Sequence, residues 1–150
     1  MPSSTTIKRF EELTVHELHD LLRLRVDVFV VEQNCPYPEI DGLDITARHL
    51  LLRDKTDALI AYARILPPEH NGLPHIGRVI VHKDHRGKGV AQRLMDNALS
   101  VVYEIYGSRR SALASQAHLE RFYARSGFER IGPDYILDGI PHVDMQRNAD

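Results

Sequence analysis

The sequence has little that would tie the protein to an oxidising compartment or to a membrane. Cys35 is the only cysteine among the 150 residues, so no disulfide can form within the chain. No stretch reaches the ~18 uncharged apolar residues that a membrane-spanning helix requires. The first six residues have no basic segment followed by an apolar one, as a secretion signal would have. We therefore expect a cytoplasmic protein.

The chain also lacks a large excess of positive or negative charge. The formal net charge is -2, so the chain as a whole has no strong attraction to nucleic acid or to an anionic membrane surface. No internal repeat and no low-complexity segment interrupts the sequence. Its length suits one domain, and 43% hydrophobic residues are enough for a core.

The hydrophobic pattern predicts an α/β protein with the element order β-α-β-β-β-α-β-α-β-β. A capping box from Thr14 to Glu17 indicates the start of the first helix. The predicted strands lie at about 5–10, 47–53, 58–66, 76–82, 111–115, 128–131 and 140–145, and the helices at about 14–33, 90–107 and 117–126. This order favours a mixed central β-sheet flanked by helices.

One strand–turn–helix unit carries the strongest functional signal. The strand Ile76–His82 is followed by a basic, glycine-containing turn, Lys83–Gly89, and by a helix that begins near Val90. Backbone N–H groups at a helix start are unpaired and, with the helix dipole, form an anion site. The turn fits neither a P-loop nor a dinucleotide fingerprint, because His82 and Gln92 stand where those motifs require glycine.

The same turn contains the pattern R-x-x-G-x-A, at Arg86, Gly89 and Ala91. This resembles the pyrophosphate-binding motif of the GNAT acetyltransferase superfamily. Residues 78–81 and 119–128 resemble further segments of the same superfamily, and residues 25–33, 61–64, 115–118 and 139–142 resemble its ElaA-like branch in particular. The resemblance implies a single-domain GNAT fold over residues 10–150 and transfer of an acetyl group from acetyl-CoA, the co-substrate, to a primary amine.

The resemblance also implies roles for individual residues. A backbone N–H near Val79 to Val81 would stabilise the oxyanion, and Tyr123 would protonate the departing thiolate. For Ser115 and Gln116, contact with the pantetheine arm competes with simple helix capping. The implied cofactor-binding residues are Val79, Ile80, Val81, Arg86, Gly87, Lys88, Gly89, Val90, Ala91, Ser115 and Gln116.

The general base is not fixed by the resemblance. Glu32 is our first choice, and proton loss through ordered water is the alternative. Five acids lie between Val26 and Ala47, where no Lys or Arg occurs. This stretch is either a solvated loop or one end of a cleft that attracts a doubly charged amine. No metal-ligand spacing is convincing, so no metal is expected.

The sequence is compatible with more than one acceptor, assembly and activity. The acceptor is a small-molecule or peptide amine, and the protein is a monomer or a homodimer. Transfer of a longer acyl group is an alternative to acetyl transfer. A catalytically weak domain of the same fold, binding acyl-CoA as a sensor, is the alternative to an enzyme.

Overall fold

The first helix begins as predicted. In the computed structural model, which describes residues 4–69 and 71–150, the Glu17 N–H donates to Thr14 Oγ1 at 3.0 Å, and the Thr14 N–H donates to Glu17 Oε1 at 2.9 Å. These bonds satisfy two donors of the first turn. Helix α1 spans Val15–Arg25 and continues as a π-helix over Val26–Glu32. The helical extent to about Gln33 is confirmed, but its last part is wound more widely than an α-helix.

The remaining elements follow the predicted order, with one addition. The strands are β1 Ser4–Arg9, β2 Arg48–Arg53, β3 Leu59–Leu66, β4 His75–Val81, β5 Ser111–Gln116, β6 Glu129–Arg130, β7 Tyr135–Leu137 and β8 Ile140–Arg147. The further helices are α2 Val90–Tyr106 and α3 Glu120–Ala124. The sequence did not indicate β7, a three-residue strand whose residues are all exposed and therefore show no alternation.

All the strands join one mixed sheet in the order β1-β2-β3-β4-β5-β8-β6, with β7 paired to β8. Among the described strands, only β4 and β5 are parallel, and α2 connects them, as parallel neighbours require. β1 precedes the range 10–150 predicted for the domain, yet it pairs with β2 over six positions.

The helices cover both faces of this sheet. The apolar stripe of α2, which includes Leu94, Ala98 and Val102, packs with Tyr123 and Phe128 in the larger core. On the opposite face, α1 contributes Leu21 and Leu24 to a smaller core. A sheet covered on both faces explains why β2 and β3 are buried at every position except their first and last residues, rather than at alternate positions.

A bulge changes which face the residues of β4 occupy. The ladder steps from the pair Gly77–Arg64 to the pair Ile80–Tyr62, so two residues of β4 lie opposite one residue of β3. In a regular strand, residues four apart share a face. Because of the extra residue, Ile76 packs in the larger core and Ile80 packs in the smaller one.

Candidate active site

The sheet divides between β4 and β5. These strands pair at one position only, His75 with Ala112, and beyond it they separate around a cleft of about 530 Å³. The β4 wall includes Arg78 to Val81, and the β5 wall includes Leu113, Ala114 and Gln116. Other walls come from the π-helix, from α3 and from the β7–β8 hairpin, with Phe29, Glu32, Phe122, Tyr123, Leu137, Asp138, Ile140 and His142. A cleft of this size accommodates a ligand of moderate size.

The bulge of β4 lies in the wall of this cleft. Arg78 has a φ of 52°, a left-handed backbone conformation that costs energy for a residue other than glycine. A bulge leaves backbone groups of the extra residue outside the sheet ladder. The segment from Val79 to Val81, predicted to stabilise an oxyanion, therefore begins at a point where the backbone has left regular pairing.

The phosphate turn, Lys83–Gly89, lies at one end of the cleft. Gly87 and Gly89 both have positive φ, 75° and 78°, and Gly89 provides no side chain to cap α2. The first N–H groups of α2 therefore have no side-chain partner at Gly89 and stay available to an anion. Arg86 and Ala91 also line the cleft, so the turn opens directly onto it. Gly87, Lys88, Gly89 and Val90 lie between these two residues in the chain and are not part of the cleft wall.

The Arg86 guanidinium donates hydrogen bonds to two different residues. Its Nε donates to the Val81 carbonyl at 3.0 Å, and its Nη1 and Nη2 donate to the Glu32 carboxylate at 2.6 and 3.0 Å. The hydrogen bonds from Arg86 lower the pKa of Glu32. A carboxylate that a guanidinium keeps ionised is a weak proton acceptor. The geometry therefore argues against Glu32 as the base and connects it instead to the phosphate turn.

Tyr123 reaches the cleft from the larger core. Its ring packs edge-on against Phe122 and Phe128, with centroid distances of 5.0 and 6.3 Å. Burial raises the pKa of Tyr123 to about 12, so its hydroxyl stays protonated at neutral pH. This is the protonation state that a proton donor needs.

Ser115 and Gln116 differ in their access to the cleft. Gln116 lines it, and its amide donates to Gln33 Oε1 at 3.2 Å, which joins β5 to the end of the π-helix. Gln116 makes no side-chain cap on the turn that follows it. Ser115 is buried, is not part of the cleft wall, and donates its hydroxyl to the Gln116 carbonyl at 2.7 Å.

Of the acids in residues 27–44, only Glu32 lines the cleft, so the structure does not favour the alternative of an acidic cleft end. All five are paired with arginines, which all come from outside this stretch. Asp27 pairs with Arg23, and Glu32 pairs with Arg86. The other three form a lattice with three arginines, in which Arg25, Glu39, Asp44 and Arg64 are buried. Asp41 and Arg78 lie at its edge and are partly exposed, and we call these six residues the buried lattice.

The buried lattice has equal numbers of each charge. Arg25 donates to Glu39 Oε2 and Asp44 Oδ1 at 2.6 and 2.7 Å. Arg64 donates to Asp41 Oδ2 at 2.6 Å and to Asp44 Oδ1 at 3.0 Å. Burial alone would raise the pKa of Asp41 and of Asp44, but the hydrogen bonds from these arginines outweigh it and lower both.

Arg78 connects the lattice to the bulge. Its Nε donates to Glu39 Oε2 at 3.0 Å, and its Nη2 donates to Asp41 Oδ2 at 3.3 Å. Its guanidinium lies over the rings of Phe29 and Tyr37, at 5.9 and 5.8 Å from the centroids. The lattice thus fixes the strained residue of the cleft wall.

One signal could have revealed the lattice. Arg64 interrupts the apolar strand of residues 59–66, and a buried arginine requires carboxylate partners. The nearest acid-rich stretch without basic residues, 27–44, supplies them. Over residues 4–69 and 71–150, no group of three His, Cys, Asp or Glu side chains is arranged to hold a metal ion. No helix in the same ranges is long and apolar enough to cross a membrane.

Comparison with known proteins identifies a family. Residues 25–149 match the family described as "Acetyltransferase (GNAT) domain". The protein ElaA of Escherichia coli is 48% identical to this chain over 141 residues, which are 92% of each chain. A relative from Schizosaccharomyces pombe is 41% identical over 140 residues, or 93% of each chain.

Two solved structures share this architecture. The crystal structure of an acyl-CoA N-acyltransferase from Pseudomonas aeruginosa superposes with a TM-score of 0.92 at 41% identity, covering 97% of this chain and 99% of that chain. The crystal structure of Escherichia coli ElaA gives a TM-score of 0.90 at 42% identity, covering 98% of this chain and 100% of that chain.

Proposed function

The chain belongs to the GNAT acetyltransferase family, and from that premise we propose that it transfers the acetyl group of acetyl-CoA to a primary amine by direct attack. The observation that carries this proposal is the continuity of the phosphate turn with the cleft, since Arg86 of the turn and Ala91 of the helix that follows it both line the cleft. A phosphate-rich ligand held at the turn can extend its acyl end between β4 and β5. One continuous cleft would therefore hold both the phosphate end and the acyl end of an acyl-CoA.

We assign the pyrophosphate to the start of α2. Backbone N–H groups from Gly87 to Ala91, at the N-terminus of α2, would donate to the pyrophosphate. Arg86 and Lys88 add positive charge there. The exposed Glu32–Arg86 pair can open, so that Arg86 exchanges the carboxylate for a phosphate. The left-handed backbone at Gly87 and Gly89 keeps side chains away from this approach.

The pantetheine arm fits along the divided edge of β4. There Val79, Ile80 and Val81 have no partner strand on the β5 side, because the two strands pair only at His75 and Ala112. Backbone groups of such an edge can bond an extended ligand. Gln116 faces the arm from β5, whereas buried Ser115 supports that strand from behind.

The reaction needs a hydrogen-bond donor to the oxyanion and a proton donor to the thiolate. A backbone N–H at the bulge, near Val79, meets the first need, because preorganised donors stabilise charge as it develops on the thioester oxygen. Tyr123 meets the second, since its raised pKa keeps the phenol protonated until the thiolate leaves.

One assay distinguishes the proposed acetyl transfer from two alternatives, a sensor module and an enzyme for longer acyl groups. The protein is incubated with acetyl-CoA or a longer acyl-CoA and a panel of primary amines, and free thiol and acylated product are measured. We expect amine-dependent thiol release and the acetylated amine. A sensor module would bind CoA without amine-dependent release, and a longer-chain enzyme would prefer the longer thioester. We place the reaction in the cytoplasm, which the single cysteine supports.

A further inference from the structure

A proton acceptor is still missing from the proposed reaction. The amine must lose a proton before it attacks, and Glu32 is ion-paired with Arg86. We propose that His142 is the general base that takes this proton. This inference rests on the proposed function and names a residue for its unassigned step.

His142 lies in the wall of the cleft on β8. It is opposite Gln116 in the β5–β8 register, and both side chains line the cleft. The next residue, Val143, packs in the larger core together with Tyr123. Because side chains alternate along a strand, His142 points to the other face of the sheet.

This placement puts the two proton-transfer groups on opposite sides of the cleft. Tyr123 approaches from the face that carries α2, and His142 approaches from the face that carries α1. In acyl transfer the nucleophile and the leaving group also lie on different sides of the reacting carbonyl. A base beside the amine and an acid beside the sulfur is the arrangement that the reaction requires.

The hydrogen bond of the ring fixes its tautomer. Nδ1 of His142 lies 2.7 Å from the carbonyl oxygen of Ile140. A carbonyl oxygen can only accept, so Nδ1 carries the proton, and the lone pair of the neutral ring is on Nε2. Within the described part of the chain, Nε2 has no hydrogen-bond partner. The basic nitrogen is therefore left for a ligand in the cleft.

Neighbouring groups hold the ring in place. It stacks on Tyr135 with the centroids 6.1 Å apart and the planes at 26°. The Tyr135 hydroxyl donates to Asp144 Oδ1 at 2.6 Å, which keeps that ring from turning.

The proton balance closes with these two residues. The ammonium gives one proton to Nε2 of His142, which later passes it to solvent. The neutral nitrogen then attacks the thioester carbon, a C–N bond forms, and the C–S bond breaks as the intermediate collapses. Tyr123 protonates the thiolate, and the second N–H proton of the intermediate returns to the phenolate. The products are the amide, the free thiol and one released proton.

The variant His142→Asn separates this role from a structural one. The Asn amide can still donate to the Ile140 carbonyl, but it has no nitrogen in the place of Nε2. With an amine that wild type acetylates, we expect kcat to fall by roughly 10²-fold, while CoA affinity measured by calorimetry stays unchanged. His75→Asn is the matched control, because His75 is a half-buried strand histidine outside the cleft, and it should keep wild-type turnover.

Chemical rescue provides a second readout that a packing defect would not give. In His142→Ala, added imidazole should restore part of the lost turnover, because it can occupy the space of the ring and accept the proton. Wild-type turnover in His142→Asn, or a loss in His142→Ala that imidazole does not restore, overturns the assignment. If wild type acetylates no amine, the proposed function fails instead, so the two failures are distinguishable.

Discussion

Arginine–carboxylate pairs occur in two regions of this molecule, and their surroundings differ. In the buried lattice, the Arg25 side chain is fully inaccessible and its partner Glu39 is 4% exposed. At the phosphate turn, the side chains of Arg86 and Glu32 are 41% and 42% exposed. A buried charge cannot leave its partner without a large desolvation cost, whereas an exposed pair can exchange partners with little cost.

The lattice belongs to the scaffold of the protein, whereas the pair at the phosphate turn belongs to the proposed binding surface. The lattice attaches the loop of residues 34–46 to β3 and β4 and holds Arg78, the strained residue of the cleft wall. The pair at the phosphate turn holds Arg86 next to the start of α2 and leaves it accessible. Arginine–carboxylate pairs therefore fix the backbone in the lattice, whereas at the phosphate turn the arginine stays accessible to a ligand.

The largest expected effect comes from breaking the lattice. Arg25→Met keeps similar volume but leaves Glu39 and Asp44 without their main donor. We expect the free energy of unfolding to fall by ~3–5 kcal/mol, as for other buried pairs that lose one partner. Urea unfolding at neutral pH measures it.

The matched control is Glu32→Gln at the phosphate turn. Its exposed pair should contribute less than ~1 kcal/mol to the free energy of unfolding. Equal losses in Arg25→Met and Glu32→Gln would contradict the distinction between the two regions.

A smaller effect, on turnover rather than stability, is expected at Tyr123, which belongs to neither region. Tyr123→Phe keeps the ring in its core position and removes the hydroxyl. Turnover should fall by roughly 10²-fold, with CoA affinity near wild type, if the phenol protonates the thiolate. Steady-state thiol release and calorimetry measure the two quantities. Retained turnover with altered stability alone would show that Tyr123 is only a core residue.

Acid should weaken the lattice by protonating its carboxylates. The pKa of Asp41 is lower in the folded state than its unfolded value of ~3.9. Its stabilising contribution is therefore complete above about pH 4 and is lost as the pH falls through the folded pKa. The free energy of unfolding should decrease on acidification, and Asp41→Asn should decrease less steeply. Parallel curves for the two proteins would exclude Asp41 as a contributor.

The sequence predicted the features that depend on local chemistry. The capping box at Thr14, the glycine-containing turn before α2 and the apolar stripe of α2 are each encoded within a few positions. The family motif predicted which residues gather around the start of α2. The membership itself is confirmed by the match over residues 25–149.

Features that depend on distant partners were not predictable in the same way. The lattice joins residues up to 39 positions apart, and the bulge at Arg78 exists only in relation to β3. The π-helical turns of residues 26–32 change the hydrogen-bond spacing but not the apolar pattern. The tautomer of His142 depends on a carbonyl two residues away, whose direction only the folded hairpin determines.

Calorimetric titration with CoA tests the central claim, that the start of α2 binds the pyrophosphate, most directly. Gly89→Glu places a carboxylate at this site, and Gly72→Glu is the control, because both glycines have similar φ, 78° and 74°, with open space around them. We expect CoA binding to weaken at least ~10-fold, or ~1.4 kcal/mol, in Gly89→Glu and to stay unchanged in Gly72→Glu. Unchanged affinity in folded Gly89→Glu, or equal loss in both variants, would contradict the claim.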